Sequence, residues 1–223
     1  MFFQKAYGRH VQILAPACFI HHAAAKYGLD ALEKLSNTMP SRPLNLDTQH
    51  WYDTDTLPWS IPEHWKHWLL DTGSLTARLK KNFPGTFEVQ VLFHEWDRPT
   101  PDERSFLSIS QREQASIREV TLLCNGVPKV FARSILPASS LEGKNRQLLF
   151  LKDRPLGAFL FSQPDLKRGP IELTRTTDSA NRDIWGRRSL FTLNHKPLAV
   201  CEYFLPEETC MKNNQTTAGV LPV

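Results

Sequence analysis

The chain has 223 residues, 41% of them hydrophobic and 22% charged, which is the make-up of an ordinary soluble globular protein with one domain of moderate size. Its net charge of +4 is dispersed among acids, which argues against a nucleic-acid-binding stripe and for small anionic ligands held at one local site. No apolar run approaches the roughly 20 residues of a membrane-spanning helix, and the four cysteines, Cys18, Cys124, Cys201 and Cys210, lack any Cys-x-x-Cys spacing, so buried thiols in a reducing cytoplasm are expected and a disulfide framework is not.

Residues 1–58 read as a variable extension. Ahead of Asp30, the first acid, they are basic and superficially like a targeting peptide, but the apolar stretch is broken by Gln12 and His21-His22. Helical potential from Ala23 to Leu35 dissolves into a loop rich in Pro, Thr, Asp and Ser that runs past Trp51. The domain proper is expected over residues 59–206, and a flexible polar tail over 207–223.

Ser60 is placed to cap a helix with Pro62 and Glu63 in its first turn, and Trp65, Trp68, Leu69, Leu75 and Leu79 follow at near-helical spacing. Gly73 should break or bend that helix near its middle, leaving Ser74 at the start of a second segment that ends at Asn82. From Thr86 to Trp96 a half-buried strand alternates Phe87, Val89, Val91 and Phe93 against Glu88, Gln90, Leu92 and His94. Arg98–Asp102, with two prolines, reads as a turn or loop. Asn125-Gly126 between two apolar runs, Ala115–Cys124 and Val127–Leu136, is a strong hairpin signal. A turn and short helix over Pro137–Leu151, a second short helix over Pro155–Phe161 and a strand over Ile171–Thr176 precede a last hairpin. Its arms flank Asn194-His195-Lys196. The hairpins imply an α+β fold: a single antiparallel β-sheet with helices packed on one face.

Two charges stand out of phase with their surroundings. In the last strand Leu198, Val200, Glu202 and Phe204 share one face, and Ala199, Cys201, Tyr203 and Leu205 the other, so Glu202 is the ionisable group of an apolar strand core. A carboxylate there is either paired with Arg187 or Arg188 across the hairpin or placed for chemistry. Arg118 likewise shares phase with Val120 and Leu122, and it requires a carboxylate, from Glu202 or from a ligand. His64 and His67 lie three apart on a helix face, but without a third ligand they read as surface or packing histidines. No Gly-x-Ser-x-Gly elbow, phosphate-binding glycine loop or His-Glu-x-x-His is present, so the chain is expected to use neither metal nor organic cofactor.

The run Trp185-Gly186-Arg187-Arg188-Ser189, followed by Glu202 in Val-Cys-Glu-Tyr-Phe-Leu-Pro, resembles the C-terminal signature of the chorismate pyruvate-lyase family. Other positions match in order: Leu75 in Gly-Ser-Leu-Thr, Arg118 in Ile-Arg-Glu-Val, the Asn-Gly hairpin, Arg133-x-x-x-Pro137, and Leu156 in Arg-Pro-Leu-Gly. The resemblance covers about residues 60–206; a leucine stands at 75 where the family commonly has methionine, a swap of similar volume. It implies a chorismate lyase-like fold and a cofactor-free enzyme that splits chorismate into 4-hydroxybenzoate and pyruvate, the first step of bacterial ubiquinone synthesis. It further implies that Arg118 binds the ring carboxylate, that Glu202 bonds the ring hydroxyl with or without moving a proton, and that Leu75 and Leu156 line the ring slot. A cytoplasmic monomer with strong product inhibition is the matching expectation. The competing reading is a ligand-sensing domain of the UTRA type, thought to share the fold. Such domains follow a DNA-binding winged helix, for which residues 1–58 are too rich in proline.

Overall fold

The computed structural model describes residues 49–178 and 182–206, so the readings placed on the extension before residue 49 and on the tail after residue 206 lie outside the described residues. Seven antiparallel strands form one sheet: β1 (Tyr52–Asp53), β2 (Phe87–Asp97), β3 (Ala115–Cys124), β4 (Val127–Pro137), β5 (Lys167–Thr177), β6 (Asp183–Leu193) and β7 (Lys196–Phe204). Their spatial order is β1-β5-β6-β7-β4-β3-β2, so the hairpins β3–β4 and β6–β7 meet in the centre of the sheet. Both hairpin turns use two residues with positive φ, Asn125-Gly126 and Asn194-His195, the geometry whose twist matches that of the strands. The last loop is thus one residue shorter than its sequence suggests, because Lys196 already belongs to β7.

Helices α1 (Glu63–Leu69) and α2 (Leu75–Asn82) are the two segments expected on either side of Gly73. Ser60 does not cap α1: the N-cap is Pro62, which has no side-chain bond to offer, whereas Ser74 Oγ accepts from the Ala77 amide at 3.4 Å and starts α2. Helix α3 (Pro101–Leu107) begins inside the stretch Arg98–Asp102 that reads as a turn or loop, opened by a reciprocal capping box between Thr100 and Glu103 with proline in the first turn. Two 3₁₀ segments, Ala138–Ser140 and Gly143–Phe150, lead to helix α4 (Leu156–Phe161).

Alternation divides the core into two faces. Val120, Leu122, Val130, Leu173, Trp185 and Phe204 pack with Trp68, Leu69, Leu75 and Leu79 of α1 and α2, and beside them Phe191 and Leu198 pack with Leu148, Leu156 and Leu160. On the opposite face Ile117, Phe131, Ile135, Ala199, Cys201 and Tyr203 pack with Leu107 of α3. Gly186 is required at the centre, since a Cβ there would lie 2.7 Å from Thr174 Cγ2 and 2.8 Å from the Tyr203 ring. In β2 the alternation fails after Val91: the register shifts between Val91 and Phe93, so Leu92 and Phe93 join the opposite face while Phe87 and Val89 stay with the first.

Candidate active site

Strand periodicity turns Arg118 of β3, Ala132 and Ser134 of β4, and Val200 and Glu202 of β7 into one cavity, with Arg168 of β5 and Phe191 of β6 at its side. The first residues of α2 and α4 form its cover, so the four residues singled out in the sequence, Leu75, Arg118, Leu156 and Glu202, are brought together. The cavity has a free volume of about 40 Å³. That is room for little more than a water molecule.

Arg118 is 1% exposed and its Nη2 donates to the carbonyl oxygens of Lys152 (2.8 Å) and Arg154 (3.2 Å). Its Nε has no hydrogen-bond partner. Burial, opposed only in part by Asp153, brings its pKa down to about 10. Glu202 is not its partner. The Glu202 carboxylate instead accepts from Arg187 Nε at 2.6 Å across the hairpin, and Arg187, itself 1% exposed, donates Nη1 to the carbonyls of Trp68 and Asp71, each at 2.7 Å. The cross-hairpin pair and the site placement expected of Glu202 are therefore both present: it is half-buried, bonded on one oxygen and part of the cavity wall.

Arg168 was not indicated by the alternation. Its Nε donates to Ser189 Oγ at 2.9 Å and its Nη1 to the Asp71 carbonyl at 3.3 Å, while its guanidinium lies 5.2 Å from the Phe191 ring centre. Burial and the neighbouring Arg187 lower its pKa to about 10 against the opposing pull of Glu202 and Asp71. Counting back from Ile171 and Leu173 by twos puts residue 168 on the wrong face; the register shift between Arg168 and Ile171, at Gly169-Pro170, reverses the phase and turns it inward. The Asp71 side chain is committed elsewhere. Although burial alone would raise its pKa, the bonds from Arg78 Nε (2.6 Å) and the Gly73 amide (3.1 Å) hold it below the usual carboxylate range.

A second cavity of about 360 Å³ lies on the other face, lined by Gln49, Trp51, Asp102, Glu103, Arg188, Cys201 and Tyr203 among others. Its charges already serve one another: Arg188 binds Glu172 (2.6 Å) and Asp102, and Glu103 binds Arg133 (2.6 Å). Burial pushes the Cys201 thiol up in pKa, away from the thiolate that reactivity needs. The His64 and His67 rings lie beside Trp65 and Trp68, with centres 5.8 and 5.4 Å apart. Among the described residues no group of three or more His, Cys, Asp or Glu side chains is gathered for a metal.

A buried and a half-buried guanidinium, neither ion-paired among the described residues, set beside one glutamate under an apolar cover, make a cavity chemically suited to a small organic anion. The sequence profile of the chorismate lyase family matches residues 45–214, and the chain belongs to that family. A probable chorismate pyruvate-lyase from Alcanivorax borkumensis is 42% identical over 147 residues, which cover 66% of this chain and 71% of that protein. Another, from Pseudomonas aeruginosa, is 37% identical over 174 residues, covering 75% of this chain and 94% of the relative. The ligand-binding domain of a putative GntR-family transcriptional regulator from Bordetella bronchiseptica superposes with a TM-score of 0.41 and 17% identity over 54% of this chain and 85% of that one, too distant to carry an argument.

Proposed function

We propose that this chain removes pyruvate from chorismate and leaves 4-hydroxybenzoate. Chorismate carries a ring carboxylate, a hydroxyl on the carbon opposite it, and an enolpyruvyl ether on the carbon next to that hydroxyl. In the reaction the bond from ring carbon to ether oxygen breaks. The hydroxyl-bearing carbon loses its hydrogen, the side-chain methylene gains one and becomes the methyl of pyruvate, and the ring becomes aromatic. Nothing is oxidised or reduced overall, so positioning and charge complementarity are what the protein must supply.

The observation that carries this reading is the pairing in one cavity of Arg118, a buried cation without a carboxylate, and Glu202 on the second strand over. Two interstrand spacings amount to about 10 Å at the backbone, a span that the two side chains close around a single ring. Arg118 takes the ring carboxylate through a charge-assisted bond, and Glu202 accepts from the ring hydroxyl with the oxygen that Arg187 leaves open. Leu75 and Leu156, buried at the first positions of α2 and α4, flank the ring. The amides of a helix's first turn lack intrahelical acceptors and can add to the carboxylate contact. A monomer suffices, because the cavity is built from one chain.

The ring carboxylate is untouched by the reaction, so its bond to Arg118 survives into the product, which the nearly closed cover then retains. Release, not bond cleavage, limits kcat in this reading, and 4-hydroxybenzoate inhibits strongly before it leaves to supply ubiquinone synthesis in the cytoplasm. The purified protein incubated with chorismate is expected to form 4-hydroxybenzoate and pyruvate in equal amounts, with a pre-steady-state burst. Absence of both products would overturn the activity; a linear progress curve insensitive to added 4-hydroxybenzoate would overturn the release step alone.

A further inference from the structure

Chorismate is a dianion, and only one of its carboxylates has so far been given a partner. The cavity's formal charges leave room for both. Arg187 and Glu202 neutralise each other at 2.6 Å, and the Asp71 carboxylate is taken by Arg78. Two lining cations remain, Arg118 and Arg168, and each is held only by carbonyl or hydroxyl oxygens among the described residues.

Their placement matches the substrate. Arg168 and Arg187 both donate to the carbonyl oxygen of Asp71, at 3.3 and 2.7 Å, and Arg187 holds Glu202. The Arg168 guanidinium therefore sits at the Glu202 end of the cavity. Arg118, on the fourth strand from β5 with β6, β7 and β4 between, is tied to the loop before α4 at the other end. With the ring carboxylate on Arg118 and the ring hydroxyl on Glu202, the ether oxygen on the adjacent ring carbon is also at the Glu202 end, and the side-chain carboxylate beyond it reaches Arg168.

Resting on the lyase reading, we infer that Arg168 is the substrate-binding residue for the enolpyruvyl carboxylate, which makes the site selective for a ring acid bearing a second, ether-linked carboxylate. As the ether bond breaks, the departing group keeps that carboxylate, and Arg168 holds it while negative charge moves toward the ether oxygen. 4-Hydroxybenzoate has no such group, so Arg168 contributes to binding of substrate and not of product.

That asymmetry supplies the test. In Arg168→Gln, kcat/KM for chorismate should fall about 10–100-fold, the range for losing a hydrogen bond to a charged group, while the dissociation constant of 4-hydroxybenzoate, measured by calorimetry, stays within about threefold. Unchanged product affinity also reports that the fold is intact. A residue that merely braces Ser189 and Asp71 would weaken both ligands together, and that outcome, or no loss in either, overturns the inference. Should Arg168→Gln not fold, Arg168→Lys keeps the cation near Ser189. It must then recover part of the chorismate kcat/KM with wild-type product affinity, and equal losses for both ligands count against the inference. Wild-type turnover separates the two claims, since a wild type inert toward chorismate refutes the activity itself, and an active wild type beside an unimpaired Arg168→Gln refutes only the role of Arg168.

Discussion

Arg118→Met should make the ligand-free protein more stable and the liganded protein less so. Burial lowers the Arg118 pKa to about 10, and at about 1.4 kcal/mol per pH unit below a free guanidinium the uncompensated charge costs about 3 kcal/mol. The bonds from the charged guanidinium to the Lys152 carbonyl and, at a longer 3.2 Å, the Arg154 carbonyl return about 2 kcal/mol together. Replacing the guanidinium by an apolar chain of similar length then gains about 1 kcal/mol, read as a higher urea midpoint at pH 7 with an unchanged slope. Because the folded-state pKa lies below that of the unfolded chain, the cost is fully present below about pH 10 and fades above it, so the gap between variant and wild type should narrow only in strong alkali. Added 4-hydroxybenzoate reverses the order. At 100 times its dissociation constant it should stabilise the wild type by about 2.7 kcal/mol, and the variant, weakened in binding by about 2–4 kcal/mol, hardly at all. A variant less stable than wild type without ligand, or one still stabilised by 4-hydroxybenzoate, would refute the argument that Arg118 is an unpaired cation held for a carboxylate.

Glu202→Gln keeps the shape but removes the charge facing Arg187, and single-turnover formation of 4-hydroxybenzoate should slow by about 10²–10³-fold, the loss expected of a positioned group that acts at the reacting centre. In Gly186→Ala the new methyl meets Thr174 and the Tyr203 ring at under 3 Å, and thermal unfolding should show a loss of about 1–3 kcal/mol even with product bound. Exhaustive chelation should leave turnover unchanged, and activity lost to chelation but restored by a metal would reveal a ligand set that the His64–His67 reading dismissed.

Much of the site was legible because antiparallel strands keep period two. That period alone put Arg118 with Val120 and Leu122, and Glu202 with Val200 and Phe204, on buried faces, and Asn125-Gly126 joined β3 to β4. The failures have one main physical origin. A single extra residue reverses the phase of everything beyond it, and it leaves no mark on an apolar pattern that continues through it. In β2 the shift at Leu92 sent Phe93 to the other face, and in β5 the shift at Gly169-Pro170 hid Arg168. Gly-Pro ahead of an apolar run was a usable signal for a bulge there. Helix α3 was a different error, since Thr100-Pro101-Asp102-Glu103 carries a capping box and an N-terminal proline, and two prolines were allowed to outweigh it. Ser60 failed as a cap because α1 begins only at Glu63, which leaves Pro62 in the capping position.

The two faces of the sheet use arginine in opposite ways, and the contrast locates the chemistry more firmly than cavity size does. On the face toward α3, Arg133 is bound by Glu103 and Glu119, and Arg188 by Glu172 and Asp102 while its guanidinium stacks 4.0 Å from the Phe106 ring centre. Opposed charges there raise the Arg133 pKa despite burial. On the face toward α2 and α4, Arg118 is buried and Arg168 half-buried, neither is ion-paired among the described residues, and both are lowered in pKa against the weaker pull of nearby carboxylates. Taking a cation out of water without a counter-ion is unfavourable by several kcal/mol (order of magnitude), so a fold that ion-pairs Arg133 and Arg188 on one side and leaves Arg118 and Arg168 without an ion pair on the other retains the latter two against its own stability. An anionic ligand entering between them regains that energy as affinity. The larger, self-neutralised cavity has none to give, and the smaller one, with two cations that lack an ion-pair partner, is the one suited to the dicarboxylate proposed above.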